Sequence, residues 1–394
     1  MSTKILKKKI LITGGGSGGH VSPVQGIIDK FKEKYGNAQE KILYVGGKLV
    51  SESDSSGKSV EEMRFENSQT KFISIRSGKL QRVFSLKSIK LLFGIIGGFI
   101  DAWKVIEKFK PDIIFSTGGY VTVPVCLVGW LKKIPIYLHE QTAAVGLTNK
   151  IVSKFAKKIY ISFKQSAKFF PKGKTLHTGN IIRKCVFEKK GSGPVARAVK
   201  TMQPKRDKFP IICIVGGGLG SHFLNLITRQ MLPYLLTEFQ VILQTGKDSS
   251  HKDYDIMQKE RDKLPKDKQS MFFPTKFIDE NEFGYVFRNI DIYVGRAGAN
   301  FVYEMGLLRK PSVLIPIPWV THNEQTLNAQ TLVEAGLGRI IPQGEVTAEK
   351  LFNELQKFKD ICIRGGYCGD NEALDRLFPV NAAEKIIDDL NLGD

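Results

Sequence analysis

The chain has 394 residues, with 59 Lys plus Arg against 39 Asp plus Glu, 42% hydrophobic and 25% charged residues, and a formal charge of +20. Such a composition excludes disordered and fibrous classes, and at about 100–200 residues per domain the length points to two domains, each with its own core. The five cysteines, Cys126, Cys185, Cys213, Cys362 and Cys368, are scattered without a paired CxxC spacing, so a reducing cytoplasmic interior is expected and no metal ligand set emerges.

In chain order, KKILITGGG opens with an apolar run too short for a secretory core and ends in glycines. KILYVGG, KFISIRSG, DIIFSTGG, IPIYLHEQ and KIYISF follow as buried strands. Helical patterns over Val24–Tyr35 and Leu86–Phe109 separate them, which gives the βαβ alternation of a doubly wound parallel sheet. Ile113–Leu131 is uncharged and close to the length of a membrane span. Ser116, Thr117, Gly118, Gly119 and Pro124 divide it into strand, turn and helix instead. After the basic stretch Lys189–Pro210 the pattern restarts with PIICIVGGGLG, QVILQTG, MFFPTKFI, DIYVGRAG and SVLIPIP. The fold class is α/β, two Rossmann-like doubly wound halves whose strand ends are expected to face a cleft. The expected divisions are 1–182, 183–370 and a terminal helical segment 371–394.

ILITGGGSGGHVSP places five glycines, Ser17 and His20 at a strand-to-helix turn, where free N–H groups and the helix dipole favour an anion. A dinucleotide turn or a purely structural loop is the alternative. Against NAD, His20 follows the last glycine and the second strand ends in glycines instead of an acid; no Walker lysine follows either. His20 is the candidate general base, although a lone His is often structural. Glu140, Gln141 and Thr142 in HEQTAAVGLTNK suit a sugar or peptide, or else satisfy local backbone.

IVGGGLGSHFLN repeats the strand, turn and helix arrangement in the second half. Glu304, behind the GRAG turn, suits two ribose hydroxyls or is a dipole-favoured surface acid. Arg183 and Arg296 are diphosphate partners by type, or solvated surface. In THNEQTLNAQ, Glu324, Gln325 and Asn328 suit the vicinal hydroxyls of a hexose, or cap a helix. From Lys79 to Lys110, Phe84, Leu91, Leu92, Phe93, Ile95, Ile96, Phe99 and Trp103 alternate with Lys79, Arg82, Lys87 and Lys90. That pattern fits an anionic bilayer surface or a core-facing helix. The positive charge has no accompanying RNP-like, helix-turn-helix or zinc signature, so no nucleic-acid partner is expected.

Taken in order, TGGGSGGHVSP, RSGKLQRVFSLKS, PDIIFSTGGYVTVPV, PIYLHEQTAAVGLTNK, TGNIIR, VGGGLG, RAGANFVYE and HNEQTLNA resemble the MurG family of peptidoglycan N-acetylglucosaminyl transferases over most of Ile10–Ile341. The resemblance implies a GT-B fold and inverting transfer of N-acetylglucosamine from UDP-N-acetylglucosamine to the MurNAc-pentapeptide of lipid I, with no cofactor required. It also implies a peripheral location on the cytoplasmic face of the plasma membrane, region 79–103 meeting the anionic bilayer, and a final helix that returns to the first domain. By position, His20 would be catalytic. Gly16, Gly19, Tyr120, Glu140, Gln141 and Thr142 would serve the acceptor. Ser17, Gly18, Arg183, Gly217, Gly218, Ala299, Glu304, Gln325 and Asn328 would serve the donor, with Phe277 and Ile278 flanking uracil. Thr142 stands where the family has Asn, Gly218 where it has Ser, Phe301 where Thr is common and Glu324 where some members have Gln. Those departures remove donor groups. They keep open another GT-B glycosyltransferase, a UDP-sugar epimerase or a weakly active UDP-sugar-binding protein.

Overall fold

Continuous apolar runs become strands buried on both faces. In β1 (Ile10–Thr13), Ile10 and Ile12 join one core layer and Leu11 the opposite one, which is how a central parallel strand is covered. The computed structural model describes residues 5–16, 18–36, 39–48, 59–66, 68–76, 86–247, 250–320, 323–360 and 369–393, with backbone only at 39, 60 and 86–95. Ser17 and residues 79–95 of the expected membrane segment 79–103 lie outside these residues or their side chains.

The chain divides into two units, Met1–Arg183 with Val380–Asp394, and Lys184–Pro379. In the first unit the strands are β1, β2 (Ile42–Gly47), β3 (Lys71–Ile75), β4 (Ile113–Ser116), β5 (Ile136–Glu140), β6 (Lys158–Ile161) and β7 (Thr175–His177). Its helices are α1 (Gly18–Tyr35), α2 (Val60–Phe65), α3 (Leu86–Phe109), α4 (Thr122–Leu131) and α5 (Leu147–Ser153). The sheet order is β3-β2-β1-β4-β5-β6-β7, parallel throughout.

The second unit holds α6 (Pro194–Met202), β8 (Ile211–Val215), α7 (His222–Glu238), β9 (Gln240–Gln244), α8 (Asp253–Asp262), α9 (Lys266–Gln269), β10 (Phe272–Thr275) and α10 (Glu280–Asn289). After these come β11 (Ile292–Gly295), α11 (Ala299–Leu307), β12 (Ser312–Leu314), α12 (Glu324–Glu334), β13 (Gly338–Ile340), α13 (Ala348–Phe358) and α14 (Asn371–Leu377). Its sheet runs β10-β9-β8-β11-β12-β13, again parallel. In both sheets the strand order reverses beside the unit's first strand, between β1 and β4 and between β8 and β11. Open α/β sheets bind ligands beyond strand ends at such a reversal.

The terminal segment splits. Phe378, just after α14, packs against Tyr303 of α11, ring centroids 5.2 Å apart, and fills the space over Gly306. The last helix, α15 (Ala382–Leu390), buries Ile386, Ile387 and Leu390 with Val24, Ile27, Ile28 and Phe31 of α1. Asp389 accepts from the Tyr160 hydroxyl at 2.7 Å and pairs with Lys158.

Candidate active site

In the first unit, Thr13 pairs with Ser116, so the glycine turn after β1 emerges beside residues 117–120 after β4. The backbones touch. Gly15 N donates to Gly118 O at 3.1 Å, and Gly119 has φ +94° with the position of a Cβ only 1.9 Å from Gly15 O. Only a glycine fits there.

Beyond the turn, His20 in the first turn of α1 places Nδ1 3.0 Å from Thr117 O, and Thr117 Oγ1 donates to His20 O at 2.9 Å. A carbonyl only accepts, so Nδ1 carries the proton and, in the neutral ring, Nε2 is the basic nitrogen. Gln141 Nε2 donates to the same Thr117 carbonyl at 2.5 Å. Burial lowers the imidazole pKa, while the hydrogen bonds to Thr117 and Gln141 partly offset that shift. The ring is therefore neutral at pH 7.

Around this pair, Glu140 is buried and keeps both oxygens occupied. Oε1 accepts Thr142 N at 3.0 Å and Thr142 Oγ1 at 2.8 Å, and Oε2 accepts Asn149 Nδ2 at 2.9 Å. The Thr142 hydroxyl also meets Ala144 O, so this departure from the family pattern serves the loop itself. Tyr120 rests its ring on Gly16. Gly18 and Gly19 are exposed at the start of α1, and Arg183, half-buried, closes the unit.

The second unit repeats the device with different chemistry. Val215 pairs with Gly295 and with Gln244, so the turn 216–220 emerges between the ends of β9 and β11. Gly220, φ +94°, approaches Thr245 O so closely that a Cβ would lie 2.0 Å away. Ser221 caps α7, accepting Leu224 N, and its hydroxyl takes a 2.8 Å hydrogen bond from Arg296 Nη2. Arg296 is buried, also donates to Ile315 O at 3.0 Å, and its pKa is lowered by that burial. A guanidinium at a capped helix N-terminus is an arrangement that favours an anion.

Gln244 links two expected donor segments: Nε2 donates to Gly217 O at 2.9 Å and Oε1 accepts Ile278 N at 3.0 Å. Phe277 carries Lys247 Nζ 4.2 Å above its ring. Gln325 Oε1 accepts Ile317 N at 3.0 Å and Ala297 N at 3.3 Å, and Asn328 Nδ2 donates to Ala297 O at 3.2 Å. These two α12 side chains thus set the turn before Ala299. Glu304 is buried in α11 near Tyr293, so it is not the surface acid of the alternative reading. Burial raises the Glu324 carboxyl pKa, partly offset by Asn328. Phe301 sits in an aromatic cluster with Tyr293, Phe283 and Phe287, centroids 5.5–5.9 Å away. At Gly218 nothing lies within 4 Å of an added Cβ, so the family's serine would fit without a clash.

Asn149 belongs to the HEQTAAVGLTNK string already singled out, whereas sequence reasoning missed Thr117, Tyr44, Glu61 and Gln244. Gln244, a polar residue closing the apolar strand QVILQ, carried the same signal as the HEQ string; the others act through contacts that no spacing reports.

Glycine turns at the strand ends of two parallel sheets, with a neutral imidazole beside one and a guanidinium beside the other, are set on two Rossmann-like units of the GT-B class. Residues 10–161 match the glycosyltransferase family 28 N-terminal domain and residues 211–360 its C-terminal domain. The chain belongs to glycosyltransferase family 28. It is 35% identical over 351 residues to a UDP-N-acetylglucosamine–N-acetylmuramyl-(pentapeptide) pyrophosphoryl-undecaprenol N-acetylglucosamine transferase of Bacillus thuringiensis, covering 89% of this chain and 91% of that one. Its fold resembles Acinetobacter baumannii MurG, with a TM-score of 0.69 at 21% identity over 97% and 98% of the two chains. It also resembles a putative UDP-N-acetylglucosamine 2-epimerase of Listeria monocytogenes, with a TM-score of 0.62 at 13% identity over 98% and 96%.

His139, next to Glu140, belongs to the scaffold. Its Nε2 lies 3.3 Å from Gly179 O and from Ser162 Oγ, and burial pushes its pKa down to about 4. In the unfolded chain it titrates near about 6.5. Between those values the unfolded state binds the extra proton, so folding stability falls as pH drops, by about 3 kcal/mol in all. Urea unfolding from pH 7 to pH 4 checks this: His139→Gln should flatten that slope, and an unaltered slope would disprove it.

Proposed function

We propose that the chain moves N-acetylglucosamine from UDP-N-acetylglucosamine to the MurNAc-pentapeptide of lipid I, forming lipid II with inversion at the anomeric carbon. The observation that carries this reading is the 35% identity to the Bacillus thuringiensis transferase across both units. The epimerase alternative rests on fold likeness at 13% identity. In the transfer, the acceptor hydroxyl oxygen bonds to the anomeric carbon while the bond from that carbon to the β-phosphate oxygen breaks. The hydroxyl proton passes to His20 Nε2. Negative charge grows on the departing UDP, where the N–H groups of turn 216–220, Arg296 and Arg183 stabilise it.

The donor lies along Gly217, Gly218, Ala299 and Asn328, with ribose on Glu304 and the transferred sugar on the Gln325 amide. Uracil rests against Phe277 and Ile278. Because Ile278 N–H already serves Gln244, the base is read by the carbonyl and the ring instead. Gly18 and Ser17 extend the donor contact from the first turn, and Gly16, Gly19, Tyr120, Glu140, Gln141 and Thr142 shape the acceptor side. No cofactor enters the scheme.

The membrane face is in the first unit. Ile96, Ile100 and Trp103 follow one side of α3 and are about half exposed, as are Trp130 and Leu131 at the end of the adjoining α4. Lys132 Nζ sits 4.2 Å over the Trp103 ring and pairs with Glu107, and Lys150 and Lys168 flank Phe169. An apolar patch with a lysine rim suits an anionic bilayer, on the cytoplasmic face where lipid I is presented. Among the described residues no helix is long and apolar enough to cross a membrane.

His20→Ala should lower kcat with a lipid I analogue by about a hundredfold or more. Because burial holds the ring below its ordinary pKa, wild-type kcat/KM should be flat above about pH 6.5 and fall in more acid solution. An unchanged kcat in the variant would remove His20 from the chemistry. Glu304→Ala should raise the donor KM, through loss of the ribose hydrogen bonds, with less effect on the acceptor KM. A donor KM that stays put would unseat the ribose contact. In flotation, the protein should rise with anionic vesicles and lose binding in Trp103→Glu/Trp130→Glu; equal binding to neutral vesicles would refute the charge contribution.

A further inference from the structure

The first glycine turn already holds a carboxyl group supplied by the chain. Glu61, on α2 in the crossover between β2 and β3, is 1% exposed, and its Oε1 accepts Gly16 N–H at 2.7 Å. Two glycines admit it. A Cβ on Gly15 would lie 1.9 Å from Oε1, and one on Gly46 would lie 3.0 Å from Glu61 Cγ. The strand before that crossover, β2, holds the other side of the turn, since its buried Tyr44 hydroxyl donates to Gly14 O at 2.7 Å. Entry into α2 is fixed by a capping box, in which Ser59 Oγ accepts Glu62 N at 3.1 Å and Glu62 Oε2 accepts Ser59 N at 2.9 Å. Among the described residues no lysine or arginine forms an ion pair with Glu61. Burial pushes its carboxyl pKa up. Ionised or protonated, the group keeps an oxygen lone pair for Gly16.

We propose that Glu61 is a positioning residue: its carboxyl group fills the anion place of the turn 14–16 and so holds the start of α1, and with it the His20–Thr117 pair, in register. Glu61 makes no contact with substrate. It acts through the backbone of Gly15 and Gly16, which lead directly into the helix carrying His20. The inference rests on the reading of His20 as the base. It goes further by assigning the order of that loop to a side chain 45 residues away in sequence.

Glu61→Ala removes the acceptor and Glu61→Gln keeps one at the same reach, so the two are compared with wild type in two measurements. Hydrogen exchange over the peptide Gly14–Val21 should be faster in Glu61→Ala and close to wild type in Glu61→Gln. With a lipid I analogue and UDP-N-acetylglucosamine, Glu61→Ala should lose about ten- to a hundredfold in kcat, the scale of a misplaced catalytic group. Its donor KM should stay near wild type, and Glu61→Gln should recover most of the rate. Wild-type exchange together with a wild-type kcat in Glu61→Ala would overturn the proposal. So would a donor KM rising in step with the loss of kcat, or a loss shared equally by Glu61→Gln. If wild type itself made no product, the transferase reading would fail, while the exchange comparison would still decide whether Glu61 holds the turn.

Discussion

The fold depends on backbone meeting backbone at the ends of neighbouring parallel strands. Gly119 lies against Gly15 O in one unit and Gly220 against Thr245 O in the other, and neither approach leaves room for a Cβ. Parallel register causes this. Because Thr13 is level with Ser116, and Val215 with Gln244, the chains leave adjacent strands at the same height and their turns must share one place. A side chain there would push the turns apart and separate Thr117 from His20, or the turn 216–220 from the end of β9.

From one architecture the two units derive opposite electrostatics. The first turn is closed by carboxyl and amide groups: Glu61 on Gly16 N, with Glu140, Gln141 and Asn149 behind it, and a histidine kept neutral by burial. The second is fronted by a buried guanidinium on the helix cap. A neutral imidazole suits removal of a proton from a hydroxyl, and a cation at a helix N-terminus suits a departing diphosphate. The division of labour proposed for the transfer thus follows from which side chains line each turn, the two backbones being alike.

Much of this was legible in the sequence because it was local. Eleven strands announced themselves as apolar, β-branched runs, and Leu86–Phe109 was readable as a helix from its period. The two that gave no signal, β7 and β13, are three residues long, TLH and GRI, with too few side chains to show an alternation. The glycine turns and His20 were visible as strings. What oriented them was not, since Thr117 reaches His20 across 97 residues and Glu61 reaches Gly16 across 45. The tail resisted for a related reason. Its apolar spacing marks helices but not their partners, and the structure gives α14 to one unit and α15 to the other.

The central claim is tested most directly by the product. Purified protein would be incubated with UDP-N-acetylglucosamine and a lipid I analogue, and the products read by mass spectrometry and by the anomeric proton coupling in NMR. The account predicts a single added N-acetylhexosamine in β linkage, with one UDP released for each disaccharide formed. An epimerised UDP-sugar, an α linkage, or UDP released without any disaccharide would contradict it.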